Sequence, residues 1–155
     1  MSFIDTLLLI LHVGAAIFTL GPLTAATHAT PRFIRQKNVS VLRYLNRTVR
    51  IYLGGSLGVL LFGLFLAPGR FDEVWLTASM TLFIVTLVLL VLVERDQRKA
   101  IQHVEAAAGA KPAEGEAVRG GDVAQVERGR IAAIGGVVSL LWIIVLILMI
   151  WQPGA

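Results

Sequence analysis

The chain has 155 residues, of which 56% are hydrophobic and only 15% charged; a soluble domain carries about 25% charged residues. Its mean hydropathy is +0.77, and its apolar residues fall in long runs, which excludes an ordinary soluble core and points to a membrane protein. The absence of cysteine excludes disulfides, thiolate chemistry, iron–sulfur clusters and cysteine-ligated zinc. The net charge of +4 does not argue for nucleic acid, because the positive residues sit beside apolar runs, where lipid headgroups or an acidic protein surface meet them.

A first span is predicted over residues 3–26. Its apolar run continues past signal-peptide length with no basic segment ahead of it, so a retained helix is expected. Asp5 suits the positive end of the helix dipole. His12 lies at hydrocarbon depth, and Pro22 is placed to kink the helix. Gly14, Ala15, Ala16, Gly21, Ala25 and Ala26 permit close helix approach, so this span is expected inside the bundle.

The connection that follows holds Arg32, Arg35, Lys37, Arg43, Arg47 and Arg50, with no acid from 28 to 50. Pro31 is expected to stop the first helix, and Asn38 or Ser40 is placed to cap the next. Leu42, Leu45, Val49 and Tyr52 then share one helical face, while Arg43, Arg47 and Arg50 share another. This reads as an amphipathic helix at headgroup level that enters a second span, 51–67, with its arginines snorkelling. Gly54 and Gly58 form a GxxxG pair. After a short connection bearing Arg70, Asp72 and Glu73, a third span covers 74–93. Trp75 is expected as its interfacial anchor, and its second half suits lipid contact. The run Glu94, Arg95, Asp96, Arg98 and Lys99 reads as an abrupt return to water, with the helix continuing to about Ala108. A flexible loop is expected over 109–121 around Pro112, then a short helix over 123–130. The fourth span, 131–151, opens with the small residues Gly135, Gly136 and Ser139.

Of the 14 Lys and Arg, only Arg70 lies outside the two long connections, which share one side in a four-span protein. Basic loops stay inside, so both connections are expected in the cytoplasm and both termini outside the plasma membrane. The expected fold is all-α: one four-helix transmembrane bundle whose two cytoplasmic loops carry short amphipathic helices.

No nucleophile–base pair, HExxH, GxSxG, nucleotide-binding loop or metal-ligand cluster is present, so the expectation is a non-enzymatic protein without metal or cofactor. His12, as an ionisable group deep in a span, is the residue to watch for haem or quinone binding. Haem between helices needs a second facing histidine. His28 lies about 24 Å further along the same helix, and His103 falls in a loop. Arg32, Arg35, Lys37, Arg43, Arg47 and Arg50 are candidates for anionic lipid such as cardiolipin, or for an acidic partner. Gly54, Gly58, Gly135 and Ser139 are candidates for helix packing; the Gly54/Gly58 pair also leaves open a small oligomeric transporter or channel.

The first span, LLLILHVGAAIFTLGPLTAATHAT, followed by a basic stretch and a glycine-rich span, resembles the small integral membrane proteins of the domain-of-unknown-function 2269 family. Leu11, His12, Val13, Ala15, Ala16 and Gly21 carry the likeness, which covers mainly the first 65 residues. The Ala/Gly/Val/Arg bias and four-span layout also resemble the respiratory supercomplex association factor of actinobacteria. That second resemblance implies a cofactor-free accessory subunit at the edge of a cytochrome bcc–aa3 assembly. Its partners would be cytochrome bc and cytochrome c oxidase subunits.

Overall fold

In a computed structural model, the chain forms four long helices: α1 (Phe3–Arg35), α2 (Val39–Leu66), α3 (Val74–Gly109) and α4 (Glu114–Trp151). The structure describes residues 3–67, 69–109 and 114–152, and side chains throughout these except for 114–123. Each helix contains a stretch long and apolar enough to cross a membrane. The protein is therefore an all-α, four-helix membrane protein. α1 lies along α2 and α3 along α4, and the two pairs join chiefly through α1–α4 and α2–α3.

The helices outrun the bilayer. The 33 residues of α1 extend about 50 Å at ~1.5 Å per residue, against ~30 Å of hydrocarbon. The excess lies at the end where the basic connections are, here called the basic end. There the four helices continue as a bundle around Ile34, Leu42, Val93, Ala100, Ile101, Val104, Ala124 and Ile131. A middle core of Leu23, Ala26, Leu45, Val49, Leu90 and Val138 follows. Ala67, Trp75 and Leu76 close the far end.

Several expectations change accordingly. Pro31 does not stop α1, which runs to Arg35 with both Pro22 and Pro31 inside it. An interior proline costs about 3 kcal/mol. Burial of Ile34 and the packing of Phe33 against the basic-end core offset much of that, at ~1.5–3 kcal/mol for a large apolar side chain. α1 ends instead in a left-handed turn at Lys37 (φ 52°), where Lys37 N–H donates to Ile34 O and Asn38 N–H to Phe33 O. Asn38 then caps α2, its side chain accepting from Val41 N–H at 3.2 Å. The region 109–121 is not one loop: α3 reaches Gly109 and α4 begins at Glu114, with 110–113 outside the described residues. No separate short helix precedes the fourth span.

The first span is not inside the bundle over most of its length. It has no buried residue before Leu23, and a side chain at Gly14 or Gly21 would meet nothing within 4 Å. Trp75 is not a lipid-facing anchor; it is 5% exposed, with the Arg70 guanidinium 5.6 Å over its ring. In α3 the stretch expected to face lipid is two-sided, with Phe83, Thr86, Leu90 and Val93 buried and Ile84, Val85, Val88 and Val91 exposed. Phe83 meets Trp142 of α4 edge-on, with centroids 5.2 Å apart.

Candidate functional site at the basic end

The charged run after Val93 is two-sided: Arg95 and Arg98 are exposed, whereas Glu94, Asp96 and the neighbouring Gln97 face the inside of the bundle. These last three are buried, at 7%, 2% and 1% exposure, because the ends of α1 and α2 extend alongside this part of α3. Gln97 Nε2 donates to Thr30 Oγ1 of α1 at 2.7 Å. Asn46 Nδ2 of α2 donates to Gln97 Oε1 and to the Glu94 carbonyl, both at 3.2 Å. Thr30 Oγ–H in turn donates to Ala26 O. One buried amide pair thus ties three helices together. Glu94 is held between Arg98, at 2.9 Å, and Arg50, at 3.4 Å. On the α4 side Asp96 pairs with Arg130 at 3.3 Å, and Glu127 lies 3.5 Å from His103.

The six basic residues of the first connection separate into distinct groups. Arg43 is paired with Glu105 of α3, and Arg50 with Glu94. Lys37 occupies the left-handed turn and is exposed. Arg47 is exposed on α2 and has no carboxylate partner among the described residues. Arg32 and Arg35 line a cleft of about 470 Å³ between α1 and α4, with Pro31 from α1 and Arg128, Gly129 and Ala132 from α4. Arg128 was not singled out by sequence. Its signal was present in the sequence: 128 and 132 are one turn apart on a helix, as are 32 and 35.

His12 lies on α1 against α2. Its Nδ1 is 2.9 Å from Val59 O; a carbonyl only accepts, so Nδ1 carries a proton and donates. The ring rests on Gly63, where an added Cβ would come within 3.1 Å of His12 Cε1. His28 Nε2 is 2.7 Å from Ser139 Oγ on α4, and the Thr27 and His28 side chains cover Gly135. The two histidines of α1 therefore serve different helix pairs and do not converge. Among the described residues no cluster of three or more metal-ligating side chains occurs. Gly54 has no neighbour within 4 Å, and Gly58 only the Phe62 ring of its own helix at 4.0 Å. The close approaches to α2 fall instead at Gly55, under Thr19, and at Gly63, under His12.

These features define a multi-pass membrane protein whose polar interior and paired charges are concentrated at one end. No known protein family matches the chain, and no curated protein or solved structure matches it either.

Proposed function

We propose that the protein is a non-enzymatic accessory subunit that packs laterally against larger membrane proteins, with its basic end in the cytoplasm. The observation that carries this reading is the unpartnered face of α1. Leu7, Leu11, Gly14, Phe18, Gly21 and Ala25 recur at intervals of three and four, the spacing of one helical stripe. Leu7, Leu11 and Phe18 are exposed at 45%, 41% and 76%. Gly21 and Ala25 are exposed as well, and Gly14 is half-buried with open space beside it. Membrane helices associate through small residues that let backbones approach, because lipid supplies no hydrophobic force between them. A stripe with glycines on either side of a projecting phenylalanine suits such packing, and the chain's own bundle does not use it.

The four-span layout and the Ala/Gly/Val/Arg bias favour a respiratory partner, the cytochrome bcc–aa3 supercomplex. Thirteen of the fourteen basic residues flank the spans at one end, which supports the cytoplasmic placement. Purification of the tagged full chain from its native membrane in mild detergent, followed by mass spectrometry, tests the reading. Cytochrome bc and oxidase subunits are expected with the wild type and lost with Gly21→Leu, which changes no contact inside the bundle. Recovery of a homo-oligomer alone overturns it, as does a haem spectrum that disappears in His12→Ala.

A further inference from the structure

We propose that the cleft between the end of α1 and the start of the apolar part of α4 binds a phosphate group, and that an anionic phospholipid supplies it. The inference does not depend on which protein meets the outer face of α1. Three guanidinium groups, Arg32, Arg35 and Arg128, line the cleft, and among the described residues no acidic one does. Of the other arginines at this end, Arg43 is paired with Glu105, Arg50 and Arg98 share Glu94, and Arg130 meets Asp96; Arg47 has no carboxylate among the described residues either, but it does not line the cleft. The cleft trio has no carboxylate partner among the described residues. Like charges gathered from two helices repel unless an anion sits among them, and planar guanidinium forks match phosphate oxygens two at a time.

Shape and surroundings agree. The cleft is an open groove of about 470 Å³, room for a phosphate headgroup that enters from its exposed side. Pro31, Gly129 and Ala132 complete its lining, and at Gly129 an added Cβ would meet nothing within 4 Å. The space is there because α4 presents small residues. The same face of α4 continues toward the far end as Gly136, Leu140, Ile143 and Ile147, at intervals of three and four. The last three are exposed at 57%, 53% and 50%. A charged cleft at the head of an apolar, outward-facing stripe matches a molecule with a phosphate at one end and acyl chains along the other. A free phosphate would use only the first part.

The test uses the full-length protein in dodecyl maltoside, incubated with equal amounts of dioleoylphosphatidylglycerol and dioleoylphosphatidylcholine and read by native mass spectrometry. Preferential retention of the phosphatidylglycerol is expected. Each basic residue near an anionic lipid contributes about fivefold. Substitution of Arg32, Arg35 and Arg128 together by Gln should therefore lower the preference on the order of a hundredfold, and Arg47→Gln should leave it unchanged. Gly129→Leu keeps all three charges and fills the cleft in open space on a helix, so it should fold and still lose the lipid. Unchanged retention in Gly129→Leu, or an equal loss in Arg47→Gln, would show diffuse surface charge and overturn the proposal. If inorganic phosphate alone binds with the same arginine dependence and displaces the lipid, the phosphate site stands and the lipid assignment falls.

Discussion

The glycines of α2 give the most direct check on the packing described here. A Cβ added at Gly55 would lie 2.9 Å from Thr19 Cγ2, and one at Gly63 3.1 Å from His12 Cε1. At Gly54 it would meet nothing, and at Gly58 only a side chain of the same helix at 4.0 Å. Replacing a helical glycine by alanine gains about 0.8–1 kcal/mol in helix preference. Gly54→Ala and Gly58→Ala should therefore be neutral or stabilising by up to about 1 kcal/mol. Gly55→Ala gains the same term but forces Thr19 and α1 apart, and overpacking costs typically ~1–3 kcal/mol; the net should be a loss of about 0–2 kcal/mol. Gly63→Ala gains the same term, displaces the His12 ring by a few tenths of an ångström and strains its hydrogen bond to Val59 O, worth ~0.5–1.5 kcal/mol, so a net change near zero is expected.

Equilibrium unfolding of the four variants in mixed dodecyl sulfate and dodecyl maltoside micelles, followed by tryptophan fluorescence, reads the order directly. The pairing is tested further by Thr19→Ala, which should recover most of the Gly55→Ala loss, as contacting residues do in a double-mutant cycle. If Gly54→Ala or Gly58→Ala proves more damaging than Gly55→Ala, α1 and α2 meet in a different register, or the GxxxG pair serves an interface between copies.

Three further outcomes follow from the basic end and the turns. Gln97→Met removes the bonds to Thr30 and Asn46 while keeping volume, and should cost about 1–3 kcal/mol at ~0.5–1.5 kcal/mol per bond; the same cycle with Thr30→Val should be non-additive, and strict additivity would break the three-helix link. Lys37→Gly relieves a left-handed backbone that costs a side chain about 1–2 kcal/mol, so after glycine's own entropy loss the unfolding midpoint should rise modestly, and a fall would contradict the turn geometry. In the α2–α3 connection, the hydrogen bond and charge of Arg70 hold the Glu73 carboxyl below its usual 4.5. A lowered folded pKa contributes order that is present above the usual carboxylate range and is lost as pH falls through the lowered value. Protection of the amides at residues 69–73, taken relative to the intrinsic exchange rate at each pH, should fall on acidification from about pH 5 to about pH 3, and the step should vanish in Arg70→Gln.

The four spans were legible because an apolar run of ~20 residues has few other uses. Less legible was everything that depends on two helices extending side by side. Pro31 is a reliable local stop signal and the charge cluster at Glu94 a reliable sign of water, yet the first lies inside a helix and part of the second lies inside the bundle. The clue in α3 was periodic: Val93, Gln97, Ala100 and Val104 keep the spacing of a buried face through a segment that composition alone reads as wet. In α4 the same holds for Ala124, Glu127, Ile131, Gly135 and Val138. The GxxxG pair misled for a related reason. The motif says that two glycines share a face, not which face the neighbour takes, and here α1 lies against Gly55 and Gly63.

The placement of the buried polar groups bears on how such a bundle finds a single arrangement. In hydrocarbon, the apolar faces of the α1–α2 and α3–α4 pairs gain little from meeting each other rather than lipid. A pairing set by those faces alone would slide. The Thr30–Gln97–Asn46 link requires one register across α1, α3 and α2, because a shift of a single turn separates donor from acceptor by about 5.4 Å. Asp96 with Arg130 and the contact of His28 with Ser139 impose the same condition on α4. Substituting Asn46, Thr30 and Gln97 together by apolar residues of similar volume should then lower stability only modestly while broadening the arrangement. Spin-label distances between positions 36 and 102 would read this as a widened distribution at the basic end. A distribution as narrow as the wild type's would show that shape alone fixes the register, and that the polar layer serves something else.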